Sequence, residues 1–268
     1  MSTYKIPSSA SQALTISRYE LLLYLRSKKI LGIVAITIMV AAGFIVSYEF
    51  LGALGTETLG FDIASPISFV FFLIIIIAAF FGSNSIMTEF NQRTGQLLFS
   101  NPVSRTSIWF GKFIASIVIA FSVIALYYSI IVSYAAISHE VPIQILSSLL
   151  FSFVSVTMIM SFAFLISSIF RGQTGAAALV FALFIIVFPM VDGVMTLLSD
   201  ERPWFTPTFS SGIITYVLTN FTDQNTMSNS FFGTSLVPKI ADSLGVMISY
   251  IVASSALSIF IFKRRDVG

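Results

Sequence analysis

Of the 268 residues, 56% are hydrophobic and only 10% are charged, and the mean hydropathy is +0.95. A soluble domain carries about 25% charged residues, so this composition excludes a water-exposed globule and places most of the apolar surface against lipid or other helices. The net charge of +2 is too small for a nucleic-acid-binding surface, and the absence of cysteine removes disulfides, thiolate metal sites and thiol nucleophiles.

The chain opens on a polar stretch, MSTYKIPSSASQ, and its first long apolar run begins near Ile30, too late and too long for an ordinary cleavable signal. Between them, ALTISRYELLLYLRSKK (13–29) predicts a helix ending in a basic cluster. On a helical wheel its charges do not collect on one face. One reading is a cytoplasmic extension of the first span. The other, which we prefer, is an interfacial helix along the inner leaflet, with Arg18, Arg26, Lys28 and Lys29 reaching lipid phosphates.

A membrane helix needs about 20 mostly apolar residues. Six such runs follow in order: 30–48, 67–87, 110–136, 143–170, 175–198 and 240–262. They are continuous rather than alternating, so a strand barrel is excluded. The expected fold is an all-α membrane protein of one domain, 1–268. Residues 1–29 form the cytoplasmic N-terminal segment, 30–262 the six-span region and 263–268 a cytoplasmic tail. Under this model twelve of the fourteen Lys and Arg residues share one side, with Arg202 and Lys239 opposite. Most acids, among them Glu57, Asp62, Glu140, Asp200 and Glu201, fall opposite the basic side, which places both termini in the cytoplasm.

Between the second and third runs lies EFNQRTGQLLFSNPVSRTSIWFGK (89–112). Glu89 and Arg93 are four apart and share a helix face. Leu97, Leu98 and Phe99 make a short apolar ridge, and Asn101-Pro102 breaks the helix because a residue before proline is pushed out of the helical region. Ser104 is placed to cap a helix restarting near Thr106, and Trp109 suits the inner interface. Helix, break, helix on the cytoplasmic face reads as a rigid element for another protein to press against.

This stretch resembles the loop between spans two and three of type-2 ABC exporter permeases. The matching residues are Glu89, Thr94, Leu97, Leu98, Pro102, Val103, Ser104, Arg105, Gly111 and Lys112, while Arg93 stands where the family usually has glycine. The span count, the termini, the N-terminal segment and the long last outer loop extend the likeness over nearly all the chain. The resemblance implies that the loop holds a coupling helix seated in a cleft on a separate ATPase. Docking then falls to Glu89, Arg93, Thr94, Leu97, Leu98, Pro102 and Arg105.

Within the later spans, Asp192 and Asp242 lie near outer ends, where the cost of a charge falls steeply. A local Lys239–Asp242 pair is expected at the start of the sixth span. Pro189 predicts a kink in the fifth, and Gly172 to Ala178 permit close helix approach. Met158 and Met160 point in different directions on a helix, which argues against a soft-metal site. The loop from Ser199 to Pro238 is rich in aromatic residues, favouring a packed lid or re-entrant segment over a structureless loop. By the family resemblance this region contributes to the outer gate, with Asp192, Trp204, Phe205 and Phe209 as its candidates.

The expected function is the permease subunit of an ATP-driven exporter in the cell membrane. The alternative is an ATPase-coupled scaffold or mechanotransmission subunit that moves no solute. No enzyme is expected in this chain: the phosphate-cradling G-x-x-x-x-G-K-[ST] pattern is missing, since Gly111-Lys112 is followed by Phe113, and neither H-E-x-x-H nor G-x-S-x-G occurs. No cofactor or metal is expected here. ATP and Mg belong to the partner ATPase, of which two copies are expected together with a second permease copy or a paralogue. Lipid is the remaining expected partner, and nucleic acid is not one.

Overall fold

The computed structural model describes residues 8–53, 63–85, 104–138, 141–170, 172–199, 203–218 and 239–264. The first helix, α1 (Ser9–Arg26), starts at Ser8, whose hydroxyl accepts from the Ser11 N–H at 3.4 Å. It ends at Ser27, which is extended and turns both its N–H and its hydroxyl back onto the Tyr24 carbonyl. Helix α2 (Lys28–Ala53) begins directly afterwards. The N-terminal segment is therefore a separate helix and not an extension of the first span.

The second span is a composite of α3 (Ala64–Ser68), α4 (Val70–Ile77), a π segment (Ala78–Gly82) and α5 (Ser83–Ser85). Next come α6 (Arg105–Ser138) and α7 (Ile145–Ile169). The fifth span is again composite: α8 (Gln173–Phe181), a π segment (Ala182–Val187) and α9 (Phe188–Ser199). Two short helices follow, α10 (Pro207–Ser211) and α11 (Ile213–Tyr216), and α12 (Ile240–Arg264) completes the fold. The described residues contain helices and no strand.

Six of these elements are long and apolar enough to cross a membrane: Lys28–Phe50, Ala64–Gly82, Arg105–Ile137, Ile145–Ile169, Gln173–Leu198 and Ile240–Arg264. All six predicted runs are present. The second starts earlier than predicted because Pro66 is accommodated in a first turn, where a missing N–H costs nothing. The third starts earlier because Ser104 caps it, its hydroxyl accepting from the Ser107 N–H at 3.1 Å.

Spans two, three and four form the core, with 61%, 50% and 56% of their most apolar windows buried, against 22%, 22% and 17% for spans one, five and six. An apolar helix face turned to lipid needs no protein partner, so the peripheral spans can leave residues such as Met39, Met190 and Val252 exposed. Small residues let α7 and α12 approach closely: Ser161 and Ser254 share a hydroxyl–hydroxyl bond of 2.5 Å, and Ser155 donates to the Met247 sulfur at 3.8 Å. Met158 and Met160 are fully buried core residues.

Trp109, near the start of α6, is enclosed by protein. Its ring is 1% exposed, stacks on Phe113 with centroids 4.7 Å apart, and donates Nε1–H to Ser258 Oγ at 2.9 Å. The hydroxyl on α12 supplies the polar partner that water would have offered, so the ring is buried at no loss. The irregularity predicted at Pro189 appears as the π segment just upstream: proline cannot donate to the carbonyl four residues back, and widening the turn accommodates the defect. The expected Lys239–Asp242 pair does not form. Both side chains are exposed, and Asp242 lies in the first turn of α12, where unpaired N–H groups favour an acid without a partner side chain.

Candidate functional site

The polar chemistry of the spans concentrates at the two ends of the bundle. At the basic end, α1 lies along the start of α6, and the contact is made possible by a glycine. A Cβ at Gly111 would stand 2.7 Å from the Ala13 carbonyl oxygen and 2.8 Å from the Ile16 Cβ, so only glycine allows this approach. The next residue, Lys112, is 3% exposed. A buried ammonium needs an opposite charge and full hydrogen bonding. Lys112 Nζ finds Glu20 Oε1 of α1 at 3.3 Å and donates to the Ser85 carbonyl oxygen at the end of α5 at 2.9 Å.

Three hydroxyls complete the contact. Tyr24 OH lies 2.8 Å from Ser85 Oγ and 3.2 Å from Ser116 Oγ, and the two serine oxygens are 3.2 Å apart. The Tyr24 ring packs edge-on against Phe81 with centroids 4.9 Å apart. Burial, with the Glu20 charge adding to it, pushes the Tyr24 hydroxyl up from its ordinary value, which keeps it protonated and able to donate. Further along, the Ser104 N–H donates to Gln12 Oε1 at 3.3 Å, and Ser107 Oγ donates to the Ser9 carbonyl at 2.9 Å. Ser85 and Ser104 flank residues 86–103, so both stems of that segment are bonded to α1.

Of the predicted docking residues, Glu89, Arg93, Thr94, Leu97, Leu98 and Pro102 lie outside the described residues. Arg105 is described: its NH1 donates to the Lys263 carbonyl at 3.0 Å, closing the C-terminal end of α12 onto the start of α6. Arg18, Arg26, Lys28 and Lys29 are all exposed. They share the outer surface of α1 and the start of α2 with Leu14, Tyr19, Leu22, Leu23 and Leu25, also exposed. Cations and leucines alternate around that arc, as the blurred helical wheel predicts.

At the opposite end, residues 203–218 turn back into the bundle instead of lying over it. Pro207, Ser210, Ser211, Ile213 and Ile214 are buried, and Ser148 Oγ of α7 donates to the Ile214 carbonyl at 2.6 Å. Asp192 of α9 anchors this segment: its carboxylate accepts from the Thr206 hydroxyl and, through the other oxygen, from Thr208 at 2.5 Å. Thr206 is the N-cap of α10. The structure thus brings Asp192 together with the Trp204–Phe209 stretch. Phe209 is half-buried, while Trp204 and Phe205 remain exposed.

Glu20, Tyr24, Ser85, Ser116 and Gln12 escaped sequence reasoning. One signal was available: Lys112 sits inside a strongly apolar helix, and a charge there demands a partner. Reading it as loop charge hid the question. Among the described residues, no three of His, Cys, Asp and Glu gather where a metal ion could be held.

Comparison with curated proteins yields no match. The family model described as ABC-2 family transporter protein matches residues 14–267, from the second turn of α1 to past the end of α12. This six-span, multi-pass membrane protein belongs to that family.

Proposed function

We propose that the chain is the permease subunit of an ATP-driven exporter, working in the cell membrane with both termini in the cytoplasm. A separate ATPase, present in two copies that bind ATP and Mg, supplies the energy, and a second permease copy or a paralogue completes the pathway. In this reading residues 86–103 carry the docking element, with Glu89, Arg93, Thr94, Leu97, Leu98, Pro102 and Arg105 facing the ATPase. The observation that carries the proposal is the anchoring of Ser85 and Ser104 to α1 around the buried Lys112. A segment held firmly at both stems can pass a push from a soluble partner into spans two and three, whereas a loosely tethered one would absorb it.

The exposed cations of α1 support contact with the inner leaflet, and the Asp192-anchored segment at 203–218 supports an outer gate. The test is Leu97→Asp combined with Leu98→Asp. It is expected to abolish co-purification of the ATPase while leaving the permease folded. Retained association and ATP-driven flux would overturn the docking assignment. Substrate-dependent flux in sealed vesicles separates an exporter from a mechanotransmission subunit.

A further inference from the structure

At the end of the bundle opposite the basic residues, the start of α12 and Trp204 enclose a cleft of about 310 Å³, lined by Trp204, Ala241, Asp242, Gly245, Val246 and Ser249. Asp242, Gly245, Val246 and Ser249 recur at spacings of three and four and so share one face of α12. Gly245 opens the floor: nothing lies within 4 Å of where its Cβ would stand. Trp204 lines the other side and is 61% exposed. The lining holds one acid and no base. Asp242 is exposed and makes no ion pair among the described residues, and Lys239, also exposed, does not reach it. Ser249 donates its hydroxyl to the Val246 carbonyl at 2.7 Å, which leaves the deeper part of the cleft effectively apolar.

We propose that this cleft binds an alkylammonium amphiphile, its cationic head between Trp204 and Asp242 and its apolar tail running along α12 past Gly245 and Val246. The site is separate from the ATPase-docking reading and needs no partner protein. A quaternary ammonium is attracted both to the face of an indole and to a carboxylate. An anionic head would meet repulsion from Asp242, and an uncharged one would gain nothing from it. Depth agrees with this order of head and tail. The spanning helix starts at Ile240, and from Ala241 to Ser249 it rises about 12 Å. Asp242 and Trp204 therefore lie at headgroup level, where tryptophan is favoured, while Ser249 lies at the depth of the acyl chains. With one carboxylate in its lining, the cleft lacks the several oxygen ligands that a bare metal ion requires. Its volume is at the small end for ligand sites and suits a headgroup with the first part of its chain.

The chain's two tryptophans provide the readout. Trp109 is enclosed and Trp204 exposed, so a ligand in the cleft changes the emission of Trp204 alone. The permease, held in an uncharged maltoside detergent, is titrated with decyltrimethylammonium chloride. A saturable blue shift is expected, and it should vanish in Trp204→Phe. Asp242→Asn should raise the half-saturating concentration about two- to five-fold, the ordinary worth of one exposed charge contact. Gly245→Phe should abolish the shift by filling the cleft. Its side chain enters open space and replaces a poor helix former, so thermal unfolding should not fall. Decyl sulfate, with the same tail and the opposite charge, should give no saturable shift. Tetramethylammonium, a head without a tail, should bind far more weakly, which separates a membrane amphiphile from a soluble amine. An equal response to decyl sulfate overturns the proposal, as does a shift that survives Trp204→Phe or Gly245→Phe. So does unchanged affinity in Asp242→Asn, or tetramethylammonium binding as tightly as the decyl compound.

Discussion

Gly111 and Lys112 are adjacent, and each admits one kind of neighbour. A methyl at Gly111 meets backbone, the Ala13 carbonyl oxygen at 2.7 Å, so the obstacle cannot rotate away. Gly111→Ala should destabilise the protein by about 1–3 kcal/mol, as overpacking does. Gly43→Ala, where nothing lies within 4 Å, should be nearly neutral. Thermal unfolding in detergent compares the two. At Lys112 the cost is electrostatic. Lys112→Met strands Glu20 in a site where its side chain is 14% exposed, and breaking one partner of such a pair costs about 3–5 kcal/mol. Replacing both, Glu20→Leu with Lys112→Met, should cost less than the single change, because no charge is left buried alone. Tyr24 adds a pH dependence of known sign. Its folded value lies above the ordinary 10.0, so its contribution is fully present below that pH and is lost as pH rises through the folded value. The attachment of α1 should therefore be constant from neutrality to mild alkalinity and weaken only in strong base, measurable by proteolysis of α1 against pH.

Among the elements, the segment at 203–218 takes two side-chain hydrogen bonds from one carboxylate, that of Asp192. Asp192→Ala leaves the Thr206 and Thr208 hydroxyls without their acceptor and should raise hydrogen exchange across 203–218. A hydrogen bond to a charged group contributes about 1.5–3 kcal/mol, so the local opening free energy should fall by at least that much. Asp192→Asn, which keeps an acceptor oxygen, should lie between alanine and wild type. Sequence reasoning located this element through its aromatic density, and the family resemblance offered Asp192, Trp204, Phe205 and Phe209 as outer-gate candidates. It could not see that threonines, two ordinary polar residues, make the attachment. The six spans were legible because continuous apolar runs have no other stable form in lipid. The π segments were not, since a widened turn leaves no compositional trace apart from Pro189. Likewise, Trp109 alone does not announce that Ser258, on the last span, will receive its N–H. Contacts between distant spans depend on which serine faces which ring, and periodicity is silent about that.

At the scale of the whole molecule, most of the described Lys and Arg residues gather at one end of the bundle. Arg105 meets Lys263, and Lys112 meets Ser85, so four chain positions distant in sequence converge at the basic end, while Asp192 and its threonines close the other. The absence of cysteine makes this directly testable. Single cysteines placed at Arg26 and at Trp204 should be labelled by an impermeant maleimide from opposite sides of a sealed membrane, with Arg26→Cys protected in right-side-out vesicles. Labelling of both from one side would break the six-span topology. The core of spans two to four, flanked by weakly buried spans one, five and six, also leaves a broad apolar perimeter. That perimeter is where a second permease copy would add burial, so cross-linking between copies should map to spans one, five or six and spare Tyr127 and Phe164, which are fully buried.

The pairing of Glu20 with Lys112 carries a consequence for how the protein is made. The two residues are 92 positions apart, and nearly every bond that holds α1 comes from the start of α6. During synthesis α1 and the first two spans leave the ribosome before their anchor exists. For that interval the helix has, among the described residues, the Ser85 hydroxyl and the Phe81 ring to meet, but not the Lys112 ammonium that receives its carboxylate. Docking of α1 is thus a late event, timed by the arrival of the third span, and a nascent chain arrested before Gly111 should leave α1 open to protease.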